Sequence, residues 1–381
     1  MTGELSVQQN RISTDEKNLL YLISCAVNQE KPDSEKCSAM DVKAVFELSN
    51  GHMLTIAAGT AFRTAAPLPN YWAEARGNLM RRFILFESER AKVIREFENR
   101  GIWYFLLKGI ILKDYYPSAV MREMADNDIL CDSEKMDEVS SLMKELGYTF
   151  TEYDVDNHDV YQKSPMSFEM HRTLFNRFDF PEIYAYYKSI KDRLIKDEDN
   201  GFGYHMSDDD FYIYIICHMY KHFARAGTGL RSLLDVYVIN KKKGASLNRD
   251  YIGIELDKLG IREYEEYTRR LAEKVFTNQP LTDDEEKNLS NYLNSKCYGS
   301  EKNLIAHKMH NDDSKQSKRR YLLRRIFPDE AYLERYYPTV YRQRILYPFL
   351  VIIRPFKGIT TKPKKLFNEY KIVKNYKNHS E

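Results

Sequence analysis

Asp126 and Asp128, in the stretch MREMADNDILCD, are carboxylates two residues apart in a segment that reads as a β-strand. Side chains alternate across a strand, so Asp126, Asp128 and Leu130 share one face and Ile129 takes the other. Two like charges side by side repel unless a cation lies between them, and a hydrophobic core has no use for such a pair. Upstream, LLKGIIL carries an apolar strand into a Lys-Gly turn. The chemistry suggested is binding of a cation, and the elements around these residues must then be able to position them.

The first 80 residues read as helices. Ser13 and Thr14 can cap TDEKNLLYLISCAVNQ, a later helix breaks at Asn50-Gly51, and Pro67 and Pro69 close the module. A long amphipathic helix from about Trp72 to Asn99 is stopped by Gly101. IWYFLLKG then changes period and reads as a buried strand, and Ser133 can cap EKMDEVSSLMKELGY. Further strands are expected from Thr149 to Phe180, where MSFEMHRTLF puts Glu169 and His171 on one face. From Ser207 the pattern is helical again, in DDDFYIYIICHMYKHFARA, GLRSLLDVYVINKKKG and REYEEYTRRLAEKVF. The expected class is α+β and predominantly helical: a small mixed sheet flanked by N- and C-terminal helical bundles. The boundaries fall at 1–80 (N-terminal helical region), 81–205 (sheet-bearing core), 206–340 (C-terminal helical domain) and 341–381 (basic segment).

Composition narrows the setting more than the activity. With 381 residues, 43% apolar and 30% charged, the chain can bury a full core. Its five cysteines are dispersed, which argues against a disulfide framework and a zinc ribbon. The first residues lack a signal-peptide pattern and no window holds eighteen uninterrupted apolar residues, so a cytoplasmic location is expected. The net charge of +2 is uneven: residues 341–381 hold ten Lys/Arg against Glu369 and Glu381. Such a tail is either simply solvated or attracted to an anionic partner. ILYPFLVIIRPFKG within it is too short to span a bilayer, and reads as a core helix or as peripheral membrane contact.

The order of motifs resembles the uncharacterised bacterial nucleotidyltransferase family of the DNA polymerase β-like superfamily. The tokens are LKG, a connection containing YP, R-x-x-x-D-x-D on a strand, and E-x-H on a later strand. H-x-x-K-H at His218–His222, GLRSLLD at Gly229–Asp235, FPDEAYLERYYP and YPFLVIIRPF are similar to the family's helical half and closing segment.

The resemblance implies transfer of an NMP group from an NTP to a hydroxyl acceptor: a small molecule, a glycan intermediate, a protein or an RNA end. It implies two Mg²⁺ or Mn²⁺ ions held by Asp126, Asp128 and a third carboxylate. Glu169 is the candidate for the third, with Glu152, Asp154, Asp156 and Asp159 as rivals. Lys108, Gly109 and Arg122 would meet the triphosphate, helped by the positive end of a following helix. His171 would touch substrate or metal, or hydrogen-bond beside the site. Lys221, His222 and Arg231 would contact nucleotide or acceptor, or serve helix packing, with Asp235 pairing one of the cations. His218 and His222 lack the further ligands of a zinc site.

One departure stands out. The superfamily usually follows this glycine with a serine, and here Ile110 occupies that place. An inactive nucleotide-binding module that assists a partner therefore competes with catalysis, and the basic tail, with Tyr370 and Tyr376 among its lysines, offers a third reading, a nucleic-acid binder.

Overall fold

Ser13 opens the first helix as the sequence predicts. Its hydroxyl accepts from the Glu16 amide while the Glu16 carboxylate accepts from the Ser13 amide, a reciprocal cap. The computed structural model describes residues 12–153, 157–295, 317–361 and 363–375. These divide into two compact units, Met1–Tyr220 with Thr228–Cys297, and Lys221–Gly227 with Tyr298–Glu381.

In the first unit, helices α1 (Thr14–Asn28), α2 (Ser34–Ser38), α3 (Val42–Gly51) and α4 (Thr55–Phe62) form the N-terminal bundle. The long α5 (Asn70–Arg100) ends at Gly101, whose φ of 65° makes the left-handed stop. There follow β1 (Tyr104–Leu106), the single turn α6 (Gly109–Leu112), β2 (Asn127–Cys131), α7 (Met136–Glu145), β3 (Thr149–Tyr153), β4 (His158–Lys163), β5 (Met166–His171), α8 (Pro181–Tyr187), β6 (Ile195–Lys196) and β7 (Gly203–His205). Helices α9 (Asp208–Ala226), α10 (Leu230–Lys243), α11 (Arg249–Lys258), α12 (Arg262–Phe276) and α13 (Asp283–Ser295) complete it, with the last turn of α9 grouped with the second unit.

The strands form one mixed sheet in the order β3-β4-β5-β2-β1-β7-β6. β2 is central: it pairs antiparallel with β1 and parallel with β5. Alternation divides the sheet into two apolar faces. Phe105 and Leu130 join the large helical core, whereas Tyr104, Ile129, Cys131, Phe168 and Met170 pack with α7 and the end of α5. The protein is thus α+β and predominantly helical.

The sequence misplaces several local details. β2 begins at Asn127, so Asp126 stands one residue ahead of the strand. Ser133 lies inside a 3-10 turn capped by Asp132, and α7 starts only at Met136. The helix after the Lys-Gly turn is four residues long, too short to build a macrodipole of the expected kind.

In the second unit the described helices are α14 (Ser317–Ile326), α15 (Glu330–Tyr336), α16 (Pro338–Arg342), α17 (Tyr347–Thr361) and α18 (Pro363–Asn375). Among the described residues, no helix is long and apolar enough to cross a membrane.

Candidate active site

The site is built where β2 lies between β1 and β5. Asp128 and Glu169 are direct partners in the parallel β2–β5 register, so their side chains project side by side on the face of the large helical core. Asp126 reaches the same place from the residue just before β2. These are the carboxylates that the sequence singles out, and the fold brings them together.

Hydrogen-bond donors surround them. The Lys108 ammonium lies 2.6 Å from Asp128 Oδ1, and His171 Nε2 lies 2.9 Å from the same oxygen and 3.4 Å from Glu169 Oε2. Asp128 and His171 are almost wholly buried. Burial alone would raise the Asp128 pKa, but Lys108 and the hydrogen bond from His171 hold it well below the usual range. Burial would likewise lower the Lys108 pKa, and Asp128 reverses this. For Glu169 burial raises and the His171 hydrogen bond lowers, with a net downward shift. Asp126 has no such partner: burial, then Asp128 and Glu169, push it up to about 7. Three carboxylates thus crowd a site where one of them holds its proton to neutrality.

The Lys-Gly turn differs from expectation in an informative way. Lys108 itself, not Gly109, takes the positive φ, with φ 47° and ψ −117°. The Ile110 amide donates to the Leu107 carbonyl at 3.2 Å, so Lys108 sits at the corner of a tight turn that ordinarily favours glycine. Space at Gly109 is tight: a Cβ there would lie 3.1 Å from Met124 Cγ, so the Met124 side chain would have to give way for any larger residue. Ile110, in place of the usual serine, is buried in the core on the opposite face of the sheet.

Arg122 is placed differently from a phosphate ligand. Its Nε and Nη2 donate to the two oxygens of Asp235 at 2.7 and 2.9 Å, and its Nη1 donates to the Glu123 carbonyl. The Tyr116 hydroxyl donates to the same Asp235, and Arg231 Nη1 donates to the same Glu123 carbonyl. This buried network ties α10 to the loop that delivers Asp126. The GLRSLLD motif therefore explains itself through Arg231 and Asp235, although Asp235 pairs with Arg122 rather than with Lys221, His222 or Arg231, the cations that the sequence offered it.

The rivals for the third carboxylate fall elsewhere. Asp159 is paired with Arg172 at 2.7 Å, Glu152 lies in β3 with β4 between it and β5, and Asp154 and Asp156 lie outside the described residues. Lys221 and His222, expected near nucleotide or acceptor, belong to the second unit.

Two residues at the site escape the sequence reading. His158, on β4, places Nε2 3.8 Å from Glu169 Oε2, and its ring lies 4.8 Å from that of His171. His158, Glu169 and His171 together offer ligand atoms within 4.8 Å of one another. Tyr214, on α9, is fully buried and close enough to Lys108, Asp128 and Glu169 for their charges to act on it, and its hydroxyl has no hydrogen-bond partner among the described residues. His158 had a signal, since period two pairs β4 with β5. Tyr214 had none, being one aromatic among many in an apolar helix.

Residues 40–277, well over half of the chain, match the family described as "Uncharacterised nucleotidyltransferase", a stretch that spans β1, β2, β5 and the α10 brace. No curated protein and no solved structure matches the chain. The chain belongs to the uncharacterised nucleotidyltransferase family.

Proposed function

We propose that the protein moves an NMP group from an NTP to a hydroxyl acceptor in a divalent-metal-dependent reaction at Asp126, Asp128 and Glu169. The observation that carries this reading is the side-by-side register of Asp128 and Glu169, with Asp126 one step before the strand. The donor set fits the metal chemistry. Hard oxygen ligands are crowded in a poorly solvated place, and their mutual repulsion is relieved only in part by Lys108 and His171. Two bound Mg²⁺ or Mn²⁺ ions would supply a lowered pKa at the attacking hydroxyl and neutralisation of the phosphates.

The remaining residues act on their own account. Lys108 neutralises Asp128 before substrate arrives and is placed to follow an incoming phosphate. His171 orients Asp128 and Glu169 through its hydrogen bonds. Arg122, Arg231 and Asp235 hold the loop of Asp126 in position rather than touching phosphate. His158 adds an imidazole nitrogen beside Glu169, which favours Mn²⁺ over Mg²⁺.

The test is calorimetric titration with ATP, GTP, CTP and UTP in Mg²⁺ or Mn²⁺, on the wild type and on Asp128→Asn. The expected result is binding of at least one NTP, tighter with Mn²⁺ and at least about a hundredfold weaker in the variant. Absence of binding for all four would overturn the reading. Binding without pyrophosphate release across hydroxyl acceptors would point instead to a nucleotide-binding module.

A further inference from the structure

The second unit has too little core for the apolar surface that it carries. Among its described residues only Pro328, Leu333 and Val373 are buried apolar side chains, with Tyr321 and Ile372 packed beside Val373. Yet α17 presents Phe349, Ile352, Ile353 and Phe356 at 61, 60, 59 and 68% exposure. Their spacing of i, i+3, i+4 and i+7 makes one continuous stripe along the helix. Phe367 and Tyr370 of α18 and Leu323 and Phe327 near α14 are also exposed. A stripe of four large residues on a 15-residue helix is apolar surface that a partner must cover.

Charge identifies the partner. Residues 341–381 hold ten Lys/Arg and two acids. One of these acids, Glu369, is turned inward, buried, and held by the Tyr321 hydroxyl and by Arg325 at 2.7 Å. The other, Glu381, lies outside the described residues. Arg342 and Lys371 stand at the surface, and Arg354 packs over the Tyr332 ring at 4.3 Å. The described surface of this segment therefore combines bulky apolar side chains with positive charge and no exposed carboxylate. A 15-residue helix is about 22 Å long, short of the roughly 30 Å hydrocarbon core, so it can lie on a bilayer but not cross it.

We propose that α17 is an interfacial helix that docks the protein on an anionic lipid surface, with the Phe349–Phe356 stripe in the headgroup–acyl boundary and the flanking basic residues against lipid phosphates. This docking does not rest on the nucleotidyl-transfer reading. It would present the enzyme to acceptors at a membrane.

The full chain is mixed with vesicles of phosphatidylcholine, alone or with about one-third phosphatidylglycerol, and sedimented. Wild type should pellet with the anionic vesicles, lose binding as salt rises, and bind neutral vesicles at least about tenfold more weakly. Phe349→Asp/Phe356→Asp should reduce anionic binding by about tenfold or more, and Arg342→Glu/Lys371→Glu should reduce it similarly. Circular dichroism checks folding. A gain-of-signal variant, Ile352→Trp, should show additional fluorescence quenched by brominated lipid.

Failure of the wild type to pellet with anionic vesicles overturns the proposal. So does equal binding by the Asp double variant, or an added indole signal that brominated lipid leaves unquenched. A dimer that this double variant dissociates, with vesicle binding unchanged, would overturn it in favour of a second copy covering the stripe.

Discussion

The Lys108 ammonium is the cation closest to Asp128, and it is held there at a backbone angle that a side chain other than glycine adopts at a cost of ~1–3 kcal/mol. A strained residue paired with a buried carboxylate is expected where the charge matters more than the conformation. Lys108→Met keeps both the side-chain length and the strain but leaves Asp128 without its closest cation. The variant should lose about 3 kcal/mol of stability without metal, at the low end for breaking a buried pair because Lys108 is partly exposed. MnCl₂ should then raise its melting temperature more than it raises that of wild type, because the ammonium no longer competes for the carboxylates. Lys108→Gly also releases the strain and should be about 1 kcal/mol more stable than Lys108→Met. Thermal melts with and without Mn²⁺ check all three. A Lys108→Met protein as stable as wild type and indifferent to Mn²⁺ would contradict this balance.

Among the elements, the decisive link is between α10 and the loop before β2. Asp235 receives two hydrogen bonds from Arg122 and one from Tyr116, all buried. Asp235→Asn removes the charge that Arg122 faces and should cost on the order of 3 kcal/mol, read by chemical denaturation. It should also weaken metal–nucleotide binding although Asp235 is not placed as a ligand, because Asp126 sits at the end of the braced loop. A drop in stability with unchanged nucleotide affinity would mean that the brace supports only the core. Such links decide what a sequence can tell. The carboxylate pair, Glu169 with His171 on one face, the ends of α5 and the spans of α9 and α12 were readable, because each depends on local periodicity or capping. Arg122 was legible as a cation but not as the partner of Asp235, a contact across 113 positions in the chain. The short β6 and β7 carry too few residues for a period, and the positive φ of Lys108 is imposed by how β1 turns over β2 rather than by residue type.

For the molecule as a whole, stability should carry the signature of Glu123. This buried side chain accepts from the Ile56 amide at 2.9 Å, joining α4 of the N-terminal bundle to the loop that enters the sheet. Burial pushes its pKa up to about 7 from an ordinary 4.5, with the Ile56 hydrogen bond and the Arg231 and Arg122 charges opposing only in part. The folded protein therefore keeps a proton that the unfolded chain releases. Stability from this group is fully present below about pH 4.5 and is lost as pH rises through 7, with a limit on the order of 3 kcal/mol. Glu123→Gln is neutral at every pH and retains an oxygen for the Ile56 amide. Melting temperatures measured from pH 4 to 8 should lie closest near pH 4, diverge between about 4.5 and 7 and run parallel above that, with the variant the more stable at pH 8. Asp126, which also titrates near 7, is common to both proteins and cancels in the difference. Parallel curves would show that Glu123 is ionised throughout, and that Arg231 and Arg122 reach its carboxylate more strongly than their bonds to the Glu123 carbonyl suggest.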